Sequence, residues 1–158
     1  YKWWKHAEPD IEQIQLEVVD IWHFGMSALM VTANDTEALA TTICEDLSGE
    51  PTPELSLLAA SEALAAACIT SGSFSTPAFL ALMRASDLSF DQLYRVYVGK
   101  NVLNFFRQDH GYKDGSYINV WHGREDNEHL SAIVSVLDAT AKDFADAVYQ
   151  GLSSVYPG

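Results

Sequence analysis

Four of the nine basic residues in this 158-residue chain, Lys100, Arg107, Lys113 and Arg124, fall between positions 99 and 127, although the formal net charge is -13. Lys100, Asn104 and Arg107 follow the i, i+4, i+7 spacing that puts side chains on one helix face. Two cations and an amide on one face could receive phosphate oxygens and the edge of a base or sugar. The plainer alternative is a solvated helix face. The residues that follow favour the first reading. Gly111-Tyr112-Lys113-Asp114-Gly115-Ser116-Tyr117 combines glycines, which let backbone approach a ligand closely, with a mobile cation and an aromatic hydroxyl. His122-Gly123-Arg124-Glu125-Asp126-Asn127 then opens another helix. Its first amides suit an anion, while Glu125 and Asp126 could instead complement the helix dipole. A phosphate-cradling loop explains this density of Gly, Lys, Arg and Tyr better than an ordinary surface loop does.

The acidic counterpart is Glu17 and Asp20, spaced i, i+3, so that a helix projects both from one face. Their neighbours Leu16, Val18, Val19, Ile21 and Trp22 are apolar. Two like charges in such surroundings repel and are poorly solvated. A hard divalent cation such as Mg2+ relieves both problems through carboxylate oxygens. A solvent-facing stripe is the alternative, and two carboxylates do not complete a metal site. His23 reads as a hydrogen-bonded core histidine rather than a ligand, because Mg2+ prefers oxygen. Beside the basic segment, the acidic pair suggests a site for a metal-bound polyphosphate.

The elements that would position these groups are helices. Apolar residues cover nearly every face of the segment 10–29, which reads as a buried helix entered at Pro9 and Asp10. Helices are expected over 36–47, over the Ala- and Leu-rich 54–69, and over 77–85. A longer one starts at Ser89 as N-cap and runs through 93–108, with Val102, Leu103, Phe105 and Phe106 packing inward. Two more close the chain, over 125–137 and 142–155. Segments 48–53, 70–76 and 111–123 read as loops. No β-hairpin pattern and no internal repeat is expected. The fold class is all-α, a helical bundle in a single domain over 1–158.

Composition narrows the function. Hydrophobic content of 48% and charged content of 20% indicate a soluble globular domain, long enough for a core. The acidic balance argues against a nucleic-acid binder, which needs a basic face. Cys44 and Cys68 form no metal-ligand spacing and read as buried, reduced thiols. No apolar stretch is expected to reach the ~18 residues of a membrane helix. No signal peptide is visible, so a cytoplasmic location is the default expectation.

Three motifs together resemble the all-α dimeric dUTPases, relatives of the MazG-like nucleoside triphosphate pyrophosphohydrolases: LEVVDIWHF at 16–24, GKNVLNFFRQDHGYKDGSY at 99–117 and GREDNEHL at 123–130. The aromatic opening YKWWK also resembles the segment before the acidic helix in that family. The stretch 32–88 is carried by helical character alone. The resemblance implies hydrolysis of dUTP to dUMP and pyrophosphate by a metal-activated water, with Mg2+ as cofactor and Mn2+ as its substitute. It implies dUTP or dUDP as ligand and a homodimer, without nucleic acid or membrane. Glu17 and Asp20 match the second acidic motif as metal ligands and act catalytically through the metal. Lys100, Asn104, Arg107, Tyr112, Lys113, Arg124 and Asn127 match substrate-binding positions, with Asn104 a candidate for uracil recognition. Trp4 and Lys5 match aromatic and basic positions lining the nucleotide site.

Two departures stand beside the resemblance. The family carries an earlier ExxE motif that supplies further metal ligands and the expected base. This sequence begins just after its place, so an N-terminal segment is expected to be missing. Asn119 stands where relatives often carry lysine, which weakens one expected phosphate contact. The alternatives to dUTP hydrolysis are the same chemistry on another pyrimidine nucleotide and a non-catalytic nucleotide binder.

Overall fold

Helix starts in this chain coincide with side chains able to cap them. In a computed structural model that describes residues 10–49 and 54–158, Asp10 accepts from the Gln13 amide (3.1 Å) and Asp35 from those of Glu37 and Ala38. Ser56 and Ser75 accept from the Ala59 and Ala78 amides. These bonds satisfy amides that a first turn leaves without partners. They open α1 (Ile11–Thr32), α2 (Thr36–Leu47), α3 (Leu57–Ser71) and α4 (Thr76–Ala85). The chain continues through α5 (Phe90–Asp109), β1 (Val120–Trp121), β2 (Arg124–Glu125), α6 (Asp126–Val136) and α7 (Phe144–Val155). The all-α expectation holds, and the expected span of α2 is matched residue for residue. Pro9, Trp4 and Lys5 lie outside the described residues.

The chain forms two compact units, Tyr1–Ser89 and Phe90–Gly158. In the first, α4 is the central element and packs against α1, α2 and α3. It buries Phe79, Leu80, Ala81, Leu82 and Met83. Trp22 of α1 stacks on Phe79 with ring centroids 5.0 Å apart and meets Phe74 edge-on. Gly25 makes room for this aromatic corner, since a Cβ there would stand 2.5 Å from the Phe74 ring. The Gln15 amide donates to the carbonyls of Ser86 and Asp87, tying α1 to the end of α4.

The second unit packs α5, α6 and α7 against one another around Phe106, Trp121, Leu130, Phe144, Val148 and Leu152. Phe106 sits among Trp121, Tyr149 and Tyr156, all with ring centroids within 5.8 Å. Arg95 donates to the Leu137 carbonyl (2.7 Å), so a cation closes the C-terminal end of α6.

Several expectations need correction. A short antiparallel hairpin interrupts the region expected to be loop, pairing Val120 with Glu125 and Trp121 with Arg124. Its two-residue connection is His122-Gly123, with φ of 51° and 80°. Positive φ at both positions is the requirement of a type I′ turn, the connection whose twist matches that of paired strands. Phe105 was expected to pack inward. Its ring is 64% exposed and borders an open groove of about 400 Å³ with Tyr97, Asn101, Asp146 and Tyr149. Cys44 is exposed and Cys68 half-buried, so neither thiol lies in the core. Gln13–Thr32, with a mean hydropathy of 1.2, is long and apolar enough to cross a membrane by length and composition alone, contrary to the expectation for every stretch. The expected buried helix is corrected too: Val18, Val19 and Trp22 are buried, but Leu16, Ile21, Phe24, Met30 and Val31 are exposed, so the unit packs against one side of α1 and leaves much of its apolar surface open.

Candidate active site

On α1, Val18 and Val19, between the two acids, turn inward with Trp22 and are buried, whereas Glu17 is exposed and Asp20 half-buried. The helix therefore holds its carboxylates outward by burying Val18, Val19 and Trp22, while Leu16 and Ile21 stay exposed. The Gln13 amide donates to Glu17 Oε1 (2.9 Å). His23 Nδ1 lies 3.9 Å from Asp20 Oδ1 but only 3.0 Å from the Val19 carbonyl, to which it donates. A carbonyl can only accept, so this contact places the proton on Nδ1. The histidine is hydrogen-bonded within its own helix and half-buried, not the core histidine the sequence suggests.

The chemistry of Glu17 and Asp20 fits a hard cation, since both offer carboxylate oxygens from one helix face. Two carboxylates would supply only part of the oxygen shell such a cation takes. Among the described residues no group of three or more His, Cys, Asp or Glu side chains is arranged to hold a metal ion.

The basic region is organised around a buried carboxylate. Asp126, in the first turn of α6, is 3% exposed. Arg107 grips it with two bonds of 2.8 Å, from Nε to Oδ2 and from Nη2 to Oδ1. The Tyr117 hydroxyl donates to Oδ2 as well (2.9 Å). Burial is the largest influence on Asp126 and pushes its pKa up. The hydrogen bonds from Arg107 and Tyr117, the Arg107 charge and the Asn127 amide outweigh it and hold the carboxyl below its usual range. Burial and the bond to Asp126 push the Tyr117 phenol well above its ordinary value. The bond to Asp126 likewise raises Arg107, against the effect of its own burial. The pair stays ionised and the phenol stays protonated across the neutral range.

The hairpin presents Asp126. Its amide donates to the Asn119 carbonyl (3.1 Å), and the Glu128 carboxylate reaches back to the Glu125 amide (2.8 Å). Asn119 thus fixes the start of α6 through its backbone, whatever its side chain does.

The structure brings some expected substrate residues together. Asn104 Oδ1 lies 3.5 Å from Arg107 Nη1, and the Tyr112 amide donates to the Arg107 carbonyl (2.9 Å). The Tyr112 ring meets Tyr117 edge-on at 6.1 Å. Asn127 directly follows Asp126 and is exposed. Lys100 lies one turn before Asn104 on α5 and is half-buried. Lys113 is exposed beyond the end of α5. Arg124 leans on Glu128, donating to its carbonyl at 3.4 Å, with a looser 3.9 Å approach to its carboxylate. Glu17 and Asp20 belong to the other compact unit.

A family model described as dUTPase matches residues 1–112, more than half of the chain. The chain belongs to the dUTPase family. It is an enzyme of the dUTP diphosphatase class, a nucleoside triphosphate pyrophosphohydrolase. No curated protein matches the chain. The dUTPase match contains Trp4, Lys5, Glu17, Asp20, Lys100, Asn104, Arg107 and Tyr112, and ends before Lys113, Arg124 and Asn127.

Sequence reasoning missed Tyr117 and the burial of Asp126 in this dUTPase. One signal was available. Asp126, Leu130 and Val134 recur at i, i+4 and i+8 and are all buried, so the carboxylate sits in phase with the apolar stripe of its helix. A charge in that phase needs a buried partner.

Proposed function

We propose that this dUTPase hydrolyses dUTP to dUMP and pyrophosphate with Mg2+, and that Glu17 and Asp20 are the metal ligands contributed by α1. The observation that carries this reading is the family match over residues 1–112, which contains both the acidic pair and the Lys100–Asn104–Arg107 face. When bound, the metal lowers the pKa of a coordinated water and neutralises phosphate charge. The chain's own residues bind and orient the nucleotide. Glu17 and Asp20 present hard oxygens from a helix that buries Val18, Val19 and Trp22, so ligand binding requires no unpacking of those three. Lys100, Lys113 and Arg124 hold phosphate oxygens as charged donors. Arg107 is paired with Asp126 through Nε and one hydrogen of Nη2, which leaves the hydrogens of Nη1 and the second of Nη2 to offer beyond that pair. Asn104 reads the base, Tyr112 supplies a ring and a hydroxyl, and Asn127 a polar contact beside Asp126. We further propose a homodimer as the assembled form.

The test is pyrophosphate release from a panel of dUTP, dCTP, dTTP and UTP with Mg2+, with Mn2+ and with chelator. Metal-dependent turnover of dUTP ahead of the others is expected. Turnover of another nucleotide without dUTP would reassign the substrate. Binding without turnover of any would leave a nucleotide-binding protein.

A further inference from the structure

A buried ion pair is a poor device for stability, because an apolar replacement of similar volume is often as stable or more so. The pair of Asp126 and Arg107 therefore calls for a positional explanation. Nε and Nη2 of Arg107 are committed to the two oxygens of Asp126, and Tyr117 holds the same carboxylate from another side. A planar guanidinium gripped along one edge cannot rotate. Its remaining nitrogen, Nη1, is directed at the Asn104 side chain at 3.5 Å.

A guanidinium only donates, so the Asn104 carbonyl is the atom that turns toward it. The Asn104 amide nitrogen, with its two hydrogens, then points away from Arg107. An exposed asparagine without such a neighbour can flip and serves equally as donor or acceptor. Beside Arg107 it is biased toward donating. Uracil carries a 4-oxo acceptor where cytosine carries a 4-amino donor. A fixed donor pairs with the first and opposes the second.

We propose that Asp126 and Tyr117 are positioning residues for base discrimination: they lock Arg107 so that its Nη1 orients Asn104 as a donor, favouring the uracil 4-oxo group over the cytosine 4-amino group. This rests on the reading above that Asn104 contacts the base. It adds that the preference is imposed from α6 and the preceding loop, through a residue that need not touch the base at all.

The experiment measures kcat and KM for dUTP and dCTP, and calorimetric affinities for dUMP and dCMP, on the full chain. The variants are Asn104→Ala, Arg107→Lys, Asp126→Asn and Tyr117→Phe. Arg107→Lys keeps the charge and removes the fork. Asp126→Asn keeps the shape and removes the ionic grip. Both are expected to lower the uracil-over-cytosine ratio about tenfold, through KM and affinity more than kcat. Tyr117→Phe removes one of three bonds and is expected to lower the ratio by about twofold to threefold. Should Asp126→Asn fail to fold, Arg107→Lys and Tyr117→Phe carry the test. Equal losses for both bases, with a lowered Tm, would overturn the proposal and leave the pair a structural one. If Asn104→Ala collapses the ratio while the other variants preserve it, base reading by Asn104 stands and its orientation by Arg107 fails. If Asn104→Ala leaves the ratio intact, or the wild-type chain binds dUMP and dCMP equally, the underlying base reading fails as well.

Discussion

The acidic helix α1 and the basic region around α6 solve opposite problems with charge. Glu17 and Asp20 stand outward on a helix that buries Val18, Val19 and Trp22. Asp126 stands inward, with both oxygens occupied by Arg107 and Tyr117. Carboxylates held at the surface keep part of their hydration and cost little to fold. A buried carboxylate costs several kcal/mol of desolvation, recovered only while its partners remain. The first arrangement suits binding a cation that comes and goes; the second suits holding geometry. Mutation should therefore split the two regions, with activity lost alone on α1 and stability lost on α6.

The largest effect is expected at the buried pair. Asp126→Ala leaves Arg107 charged without its partner and should cost about 3 to 5 kcal/mol in urea unfolding. A loss below about 1 kcal/mol would mean that the pair is solvated in solution. Next, Glu17→Gln should reduce turnover on the order of 100-fold by removing a metal charge, while Tm stays within a degree or two because the side chain is exposed. Wild-type turnover in a purified Glu17→Gln protein would remove Glu17 from the metal shell. Lys113→Ala should weaken dUTP binding by roughly tenfold and dUMP binding much less, since a lost charge-assisted bond to a distal phosphate spares the monophosphate. Equal losses would place Lys113 away from the distal phosphates.

The smallest effect is one of pH. The carboxyl of Asp126 is depressed in the folded state, so it binds its proton less readily folded than unfolded. Its contribution to stability is complete above the unfolded carboxylate value of about 3.9 and is lost as pH falls through the lower folded value. Acid unfolding of the wild type and Asp126→Asn should converge as pH drops below about 4. A constant gap between the two curves down to low pH would contradict the depressed carboxyl.

The two regions also differed in how far the sequence could be read. The existence of α1 and α2 was legible because Asp10 and Asp35 cap them, but the burial of α1 was not, because apolar residues on nearly every face do not mark which side packs. That Glu17 and Asp20 share a helix face follows from their spacing; that the face is turned outward does not. The start of α4 was placed at Pro77, one residue late, because Ser75 caps a first turn that already includes Thr76. Around α6 the deciding contacts are long-range. Arg107 and Asp126 are 19 residues apart, and nothing between them announces that they meet. Phe105 was assigned inward on its apolar character, but the buried positions of α5 here are Val102, Leu103 and Phe106, and Phe105 falls on the other side. The hairpin was missed because each strand is only two residues long, too short for alternation to register. Its one local mark is Gly123 after His122 at the turn.

That turn also constrains how the chain can change length. His122 and Gly123 are the whole connection between the strands, and Asp126 begins a helix immediately after the second strand. One residue inserted before Asp126 would either break the strand pairing or advance the helix by about 100°. In the second case the carboxylate would leave Arg107 and an unrelated side chain would face it. The loop at 111–116, where glycines and exposed residues prevail, carries no such restriction. Insertions accepted by a growing or shrinking dUTPase of this kind should therefore collect in that loop and spare the nine residues from Tyr117 to Glu125, whose number sets the phase of α6.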